Sequence, residues 1–294
     1  MNIWKDYRLA YSLSEALDAY DQAEKPVRFI SGGTDLLLEI QQGSHPVMRT
    51  LIDLNQIPEM RELKVIGDQL FIGAAVPVSQ ITQSSLVKKH AMAVSEATGL
   101  IGGPQVRNSA TLGGNVAHAL PAADGMISLV AMNATAIIYS RSGYYQKYIL
   151  ELFKGPGISA LSGKEILVGF QFPIKNPGEG SAFDRVMRPQ GVALPILNTA
   201  IWLRRNEEFI EDIRISFGPS GPIPTRASQV EDIFRGNKFT GEVIARAKST
   251  ILESVHFRAS KMRATAEYRY HLAQALMEKV IKIAWQRAGE IADE

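Results

Sequence analysis

The chain has 294 residues, 46% of them hydrophobic and 21% charged, with a formal net charge of +2. That length and balance suit an ordinary globular protein of two or three lobes, and its 32 Lys and Arg residues are spread along the chain, leaving no electrostatic footprint of a nucleic-acid binder. The absence of cysteine excludes disulfides, thiolate nucleophiles, cysteine-ligated zinc and any iron–sulfur cluster held by this chain alone, so redox chemistry has to reside in an organic cofactor or in a partner.

No apolar run reaches the roughly 18 to 20 residues that a bilayer span requires. The opening "MNIWKDYRLAYSLSEALDAY" carries acidic residues and no h-region, which predicts a cytoplasmic protein without a signal peptide. Within it, Leu13, Ala16, Leu17 and Tyr20 fall at helical spacing behind Ser12 or Ser14 as N-cap. "VRFI" reads as a buried strand. It is followed by "SGGTD", and then by a helix with Thr34 and Asp35 in its first turn, Leu37, Leu38 and Ile40 on its apolar face, and Gly43 to stop it.

Short β runs follow at Leu51 to Leu54 and Gln69 to Ala74, broken by Pro58, Gly67 and Pro77. Residues 86 to 98 suit a helix. Glycine then concentrates between Gly99 and Gly125, as in a loop built for close backbone approach. "DGMISLVAM" predicts a helix opened by Asp124, "ATAIIYS" and "YYQKYI" a hairpin around "RSG", and "KEILVGFQFP" a half-buried strand. "KNPGEG", Lys175 to Gly180, reads as a linker. Beyond it come an antiparallel hairpin, "VALPILNTAIWLRR" with "FIEDIRISFG", and three helices. The last spans Ala264 to about Ala288, with Tyr268, Leu272, Leu276, Val280 and Ile283 as its packing face.

Two glycine pairs, Gly32–Gly33 and Gly113–Gly114, lie about eighty residues apart beside small polar side chains. A glycine turn between a strand and a helix gathers backbone N–H groups, and the helix dipole adds positive charge, which suits a phosphate. Thr34, Thr111 and Asn115 can donate to phosphate oxygens, so two such turns could hold the two halves of a pyrophosphate. Neither G-x-G-x-x-G nor G-x-x-x-x-G-K-[ST] is present, which disfavours Rossmann and P-loop proteins. His45, His90, His256 and His271 show no metal-binding spacing. No nucleophile, acid or base is singled out, so no catalytic residue is assigned.

"SGGTDLLLE" and "GGPQVRNSATLGGNVAHALPAAD" resemble the paired FAD-binding motifs of the flavoprotein (medium) subunit of molybdenum hydroxylases, the xanthine dehydrogenase and carbon monoxide dehydrogenase family. "ISFGPSGPIPTRASQVEDIFRG" and "HFRASKMRATAEYRYHLAQAL" resemble that family's C-terminal segments. The resemblance implies an α+β fold: a two-lobed FAD-binding domain of the vanillyl-alcohol-oxidase (PCMH) type over residues 1–176, with lobes of about 1–56 and 57–176. A C-terminal domain with an antiparallel sheet and helices would follow over 177–294. FAD would lie between the lobes, with Ile30, Ser31, Gly32, Gly33, Thr34 and Asp35 on one side and Thr111, Gly113, Gly114 and Asn115 on the other. Asp124 would bond the adenosine side, Ile101 and Gly102 would pass the isoalloxazine ring, and Leu167 would meet flavin or adenine. His118 is a further candidate contact.

The sequence departs from the family pattern at Leu120, where a serine is usual, at His118, where the residue is usually small or hydroxylated, and at Asp184 in "FDRVMRP", where a lysine is usual. The last reverses a charge and counts against NAD as acceptor. Arg107 is expected to fix its loop through an ion pair, and Arg258, Arg263 and Arg269 to form inter-domain salt bridges. The resemblance further implies a large molybdopterin-binding subunit and a small [2Fe–2S] subunit as partners, in a dimer of heterotrimers, with electrons passing through FAD to an external acceptor such as NAD or O2. The alternatives are a stand-alone FAD-dependent reductase of the same fold and a flavin-free assembly or scaffold subunit.

Overall fold

The computed structural model describes residues 4–188, 194–260 and 263–290. Three sheets organise it. Trp4–Leu9, Met48–Asp53 and Val27–Ile30 form a parallel three-stranded sheet with Met48–Asp53 in the centre. An antiparallel five-stranded sheet runs Leu63–Ile66, Gln69–Gly73, Ile166–Pro173, Thr135–Ser140, Gly143–Tyr148. An antiparallel four-stranded sheet runs Glu179–Met187, Pro195–Asn206, Phe209–Gly218, Thr225–Arg226. This is the α+β architecture expected.

Near the start, Ser12 caps the Leu13–Gln22 helix by accepting from the N–H of Glu15 at 3.1 Å, while Leu13, Ala16 and Leu17 are buried. The strand Ile166–Pro173 is central in its sheet, so it is buried on both faces rather than one, with a bulge between Leu167 and Gly169. The expected helix over 86–98 is two helices, Ser85–His90 and Met92–Gly99, separated at Ala91. Within the glycine-rich loop the chain forms two further short helices, Pro104–Ser109 and Leu112–Ala117.

The strand Glu179–Met187 was hidden in the supposed linker and the segment after it. One face of its sheet carries the helices Ser228–Phe234, Gly241–Ser254 and Ala266–Gly289 over a core that includes Ile201, Leu203, Ile213, Phe217, Met277 and Ile281. Ala266–Gly289 lies directly on the strands: a Cβ on Gly180 would sit 2.7 Å from the backbone nitrogen of Ala288, so only glycine permits that approach. Of the expected packing face, Leu276 and Val280 are buried and Leu272 and Ile283 pack against the same core, and only Tyr268 departs from it. Tyr268 is 48% exposed, whereas Arg269, Ala273, Leu276, Met277, Val280 and Ile281 point inward.

The other face of the four-stranded sheet packs on the helices Met92–Gly99 and Asp124–Ala131. Ala93, Ala97, Ile127, Ala131, Phe183 and Ala200 form a small apolar cluster there. Polar bonds stitch the same contact: Ser216 Oγ donates to the Ile127 carbonyl at 2.7 Å, and Arg287 forks onto Glu96 at 2.6 and 3.1 Å. The sheet thus holds the end of the second glycine-rich segment in place.

Candidate functional site

The first glycine turn leaves the Val27–Ile30 strand and enters the Leu36–Gln41 helix. Ile30 is buried, and Gly33 has φ +68°, a conformation that L side chains rarely adopt. No acceptor among the described residues takes the N–H groups of Gly32, Gly33 or Thr34. They are free to face a ligand. Thr34 is half-buried and Asp35 exposed, with no side-chain capping bond from Asp35.

Asn55 braces this turn. Ser31 Oγ donates to Asn55 Oδ1 at 2.7 Å, and Asn55 Nδ2 donates to the Ser31 carbonyl at 3.1 Å. The backbone N–H of Asn55 is in turn held by Asp53 Oδ1 at 2.7 Å, and Asp53 Oδ2 accepts from the Tyr7 hydroxyl at 2.5 Å. None of Tyr7, Asp53 and Asn55 carried a sequence signal, because their roles exist only once three parallel strands have aligned.

The second glycine segment lies against the first. A Cβ on Gly32 would fall 2.8 Å from the carbonyl carbon of Ser109 and 2.9 Å from Ala110 Cα. His118 Nε2 lies 3.5 Å from Glu39 Oε1 of the Leu36–Gln41 helix, so the side chains of the two segments meet. The second pair nevertheless differs chemically from the first. The Gly113 N–H donates to the Ala74 carbonyl at 2.9 Å, and a Cβ there would press on Ala74, so Gly113 is a packing glycine. Gly114 donates to Thr111 Oγ1 at 3.1 Å, which caps the Leu112–Ala117 helix. The outer side of Gly114 is open, with Thr111 Oγ1 at 3.2 Å as the one neighbour a Cβ would meet. This turn therefore offers an open glycine face and side chains instead of bare N–H groups.

Those side chains include an orphan. Asn115 Oδ1 is buried without a hydrogen-bond partner among the described residues, a state that costs about 1 to 3 kcal/mol unless a ligand or water fills it. Nearby, Gly102 has φ +54°. Arg107 secures that bend by donating from Nη1 to the carbonyls of Ile101 and Gly102 at 3.3 and 2.6 Å. The expected ion pair is absent among the described residues, since carbonyl oxygens take its place. With those carbonyls turned inward, the N–H groups of Gly102 and Gly103 have no acceptor among the described residues.

Asp124 and Leu167 are placed differently from the other candidates. Leu167 is 7% exposed and belongs to the main core. Asp124 is 4% exposed; its Oδ2 pairs with Arg185 and its Oδ1 accepts from Asn198 Nδ2 at 2.7 Å. Burial pushes its carboxyl up to about 6, against the opposing pull of Arg185 and Asn198. Both oxygens are thus engaged by the four-stranded sheet. Asp184 is not a free acid either, because Lys279 Nζ lies 2.6 Å from its Oδ2.

Arg258, Arg263 and Arg269 form no salt bridge among the described residues, contrary to expectation. A groove of about 440 Å³ is bordered by Phe239, Thr240, Lys248, Glu278 and Lys282 and by no residue of either glycine turn. Glu278 pairs with both of its lysines.

The joined glycine turns carry the donor chemistry that a dinucleotide's phosphates need. Unbonded N–H groups at Gly32, Gly33, Thr34, Gly102 and Gly103 supply donors for phosphate and ring oxygens, Gly114 permits close approach, and Asn115 lacks a partner. Comparison with known proteins shows the family. The family described as the FAD binding domain in molybdopterin dehydrogenase matches residues 4–175, and the CO dehydrogenase flavoprotein C-terminal domain matches residues 181–284. The chain is 30% identical to the xanthine dehydrogenase FAD-binding subunit of Escherichia coli O157:H7, over 96% of this chain and 97% of that one. It is also 30% identical to the glyceraldehyde dehydrogenase medium chain of Sulfolobus acidocaldarius, over 94% and 96%. Among solved structures, carbon monoxide dehydrogenase from Hydrogenophaga pseudoflava superposes with a TM-score of 0.90 at 26% identity, covering 96% of this chain and 98% of that one.

The fold and the site define a two-part flavoprotein with an FAD-binding domain. The chain belongs to the FAD-binding (medium) subunits of the molybdenum hydroxylase family, the xanthine and carbon monoxide dehydrogenase type, and is an oxidoreductase subunit.

Proposed function

We propose that this chain carries FAD across its two glycine turns and relays electrons within a multi-chain molybdenum hydroxylase. Substrate is oxidised at a molybdopterin cofactor on a large partner, [2Fe–2S] clusters on a small partner deliver the electrons, and an external acceptor removes them. When bound, the flavin supplies the ability to exchange electrons singly or in pairs. The observation that carries the reading is the backbone contact of Gly32 with Ser109 and Ala110, which joins two donor-rich segments into one cradle.

Each residue has a task in holding and orienting the cofactor. Gly32, Gly33 and Thr34 present N–H groups to phosphate oxygens. Thr111 donates its hydroxyl while its oxygen caps the helix, and Asn115 turns its amide to the cofactor. Ile101 and Gly102 border the ring, fixed by Arg107. Asp124 acts indirectly, locking the start of the Asp124–Ala131 helix to Arg185 and Asn198. The cysteine-free sequence is consistent with clusters held on another chain.

In this reading the chain divides near residue 176 into FAD-binding and C-terminal domains, works in the cytoplasm, and assembles as a dimer of heterotrimers. The test is co-expression with candidate large and small chains: a complex containing molybdopterin, iron–sulfur clusters and FAD, in which substrate bleaches the flavin absorbance, supports it. Flavin reduced by a soluble donor without any partner chain would favour a stand-alone reductase.

A further inference from the structure

The parallel sheet ends where the first glycine turn begins. Ile30 is paired with Asp53 of the central strand, and the Leu54 N–H donates to the Ile30 carbonyl at 3.0 Å, so Ser31 and Asn55 leave the sheet side by side. Open sheets of parallel strands bind ligands beyond these carboxyl ends, and here the turn carries the N–H groups of Gly32, Gly33 and Thr34, which have no acceptor among the described residues. An N–H group serves a ligand only when its peptide plane is held the right way round.

Asn55 holds one such plane. Its Nδ2 donates to the Ser31 carbonyl at 3.1 Å, while its Oδ1 accepts from the Ser31 hydroxyl at 2.7 Å. The amide faces this way because a carbonyl oxygen only accepts and so requires the NH2 group. Ser31–Gly32 is a trans peptide, in which C=O and N–H point to opposite sides. Fixing the Ser31 carbonyl on Asn55 therefore turns the Gly32 N–H away from Asn55, to the side where no described residue accepts it. The Gly33 carbonyl is fixed similarly by the Leu37 N–H at 3.0 Å, but there the helix itself supplies the donor. For Gly32 the donor is a side chain.

That side chain is held in turn. The Asn55 N–H donates to Asp53 Oδ1 at 2.7 Å, and the Tyr7 hydroxyl donates to Asp53 Oδ2 at 2.5 Å. Asp53 is 7% exposed, so its carboxylate depends on both donors. Tyr7 stands on the edge strand Trp4–Leu9 and is 42% exposed. The bonds thus run without a break from the surface of the sheet to the glycine turn.

We propose that Asn55, with Asp53 and Tyr7 behind it, is a positioning residue for FAD: it presets the Gly32 N–H to meet a phosphate oxygen of the cofactor. The inference rests on the FAD reading above and extends it to residues outside both glycine motifs. A donor already aimed needs no reordering when the ligand arrives, so the brace raises affinity without touching the cofactor.

The test titrates the full chain, freed of flavin, with FAD, and scales each variant to its folded fraction by circular dichroism. Asn55→Leu keeps the side chain's size and removes both bonds to Ser31, and should weaken FAD about tenfold or more. Tyr7→Phe, a milder change that leaves the core untouched, should weaken it about two- to fivefold. Asp53→Leu should match Asn55→Leu, whereas Asp53→Asn should stay within about threefold of wild type, because its Oδ1 still accepts from the Asn55 N–H and its Nδ2 can donate to the Tyr7 oxygen. At saturating FAD, the phosphorus NMR resonances of the bound pyrophosphate should move in Asn55→Leu and not in Asp53→Asn; a brace that serves stability alone would lower Tm and leave them in place. Wild-type affinity or unmoved phosphorus resonances in folded Asn55→Leu overturn the proposal, as does equal loss in Asp53→Asn and Asp53→Leu. A wild-type chain that binds no FAD would instead overturn the FAD reading, and this inference with it.

Discussion

Gly32 and Ser109 meet backbone to backbone, although 76 positions separate 32 from 109 in the sequence. The approach leaves no room for a Cβ on Gly32, which would lie 2.8 Å from the Ser109 carbonyl carbon. Through this contact the turn that follows the parallel three-stranded sheet lies directly against the glycine-rich segment.

Gly32→Ala should therefore separate the two segments. The expected cost is about 1 to 3 kcal/mol of stability, as for other overpacked sites, together with loss of bound FAD. Thermal unfolding and flavin content of the purified variant measure both. Normal flavin content would show that the contact is not needed for the cradle.

Gly114→Val probes the ligand side without disturbing the protein side. A Cβ there meets only Thr111 Oγ1, at 3.2 Å, so the fold should survive with Tm changed by no more than a few degrees, the shift that roughly 1 kcal/mol produces. FAD affinity should fall steeply because the side chain projects where the cofactor passes. A titration of apoprotein with FAD decides, and unchanged affinity would remove Gly114 from the site.

Arg107→Gln removes the two carbonyl bonds that hold Ile101 and Gly102. Bonds from a charged donor are worth about 1.5 to 3 kcal/mol. FAD affinity should drop by roughly tenfold or more, with circular dichroism unchanged. Faster proteolytic cutting between residues 99 and 104 is the accompanying sign.

Asp124 makes stability depend on pH in a defined direction. Its folded pKa of about 6 lies above its ordinary value of 3.8, so between these values the folded state holds the proton more tightly than the unfolded state. This group's contribution is therefore largest below pH 3.8, falls as pH rises towards 6, and is level above that. The stability of the wild type minus that of Asp124→Asn, from denaturant titrations, should fall between pH 4 and pH 6.5. A difference that rises over this interval would mean that Arg185 outweighs burial.

The architecture was legible where side-chain periodicity reports burial directly. Leu13, Ala16 and Leu17 marked their helix, and the hairpin of Thr135–Ser140 with Gly143–Tyr148 was marked by its "RSG" turn. The pattern failed where tertiary context overrides propensity. Gly113 and Gly114 lower helix propensity, yet the Thr111 cap and the bond to Ala74 hold them in a helix. Tyr268 fell on the helical packing face yet is 48% exposed, and Arg269, expected in a salt bridge, is buried at 1%. The glycine motifs located the candidate site, but their division of labour was invisible: only the fold shows that Gly113 packs on Ala74 while Gly114 stays open. Asn55, Arg185 and Asn198 act through partners distant in sequence, so no local motif announces them.

The central claim is that the joined glycine turns hold FAD. It is tested most directly by the absorbance spectrum of the purified chain, with release and chromatographic identification of the chromophore, beside the same measurement on Gly114→Val. The account predicts about one FAD per wild-type chain and little in the variant at equal folded fraction. A wild-type protein that stays colourless after reconstitution with FAD, or a variant that retains full flavin, would contradict it.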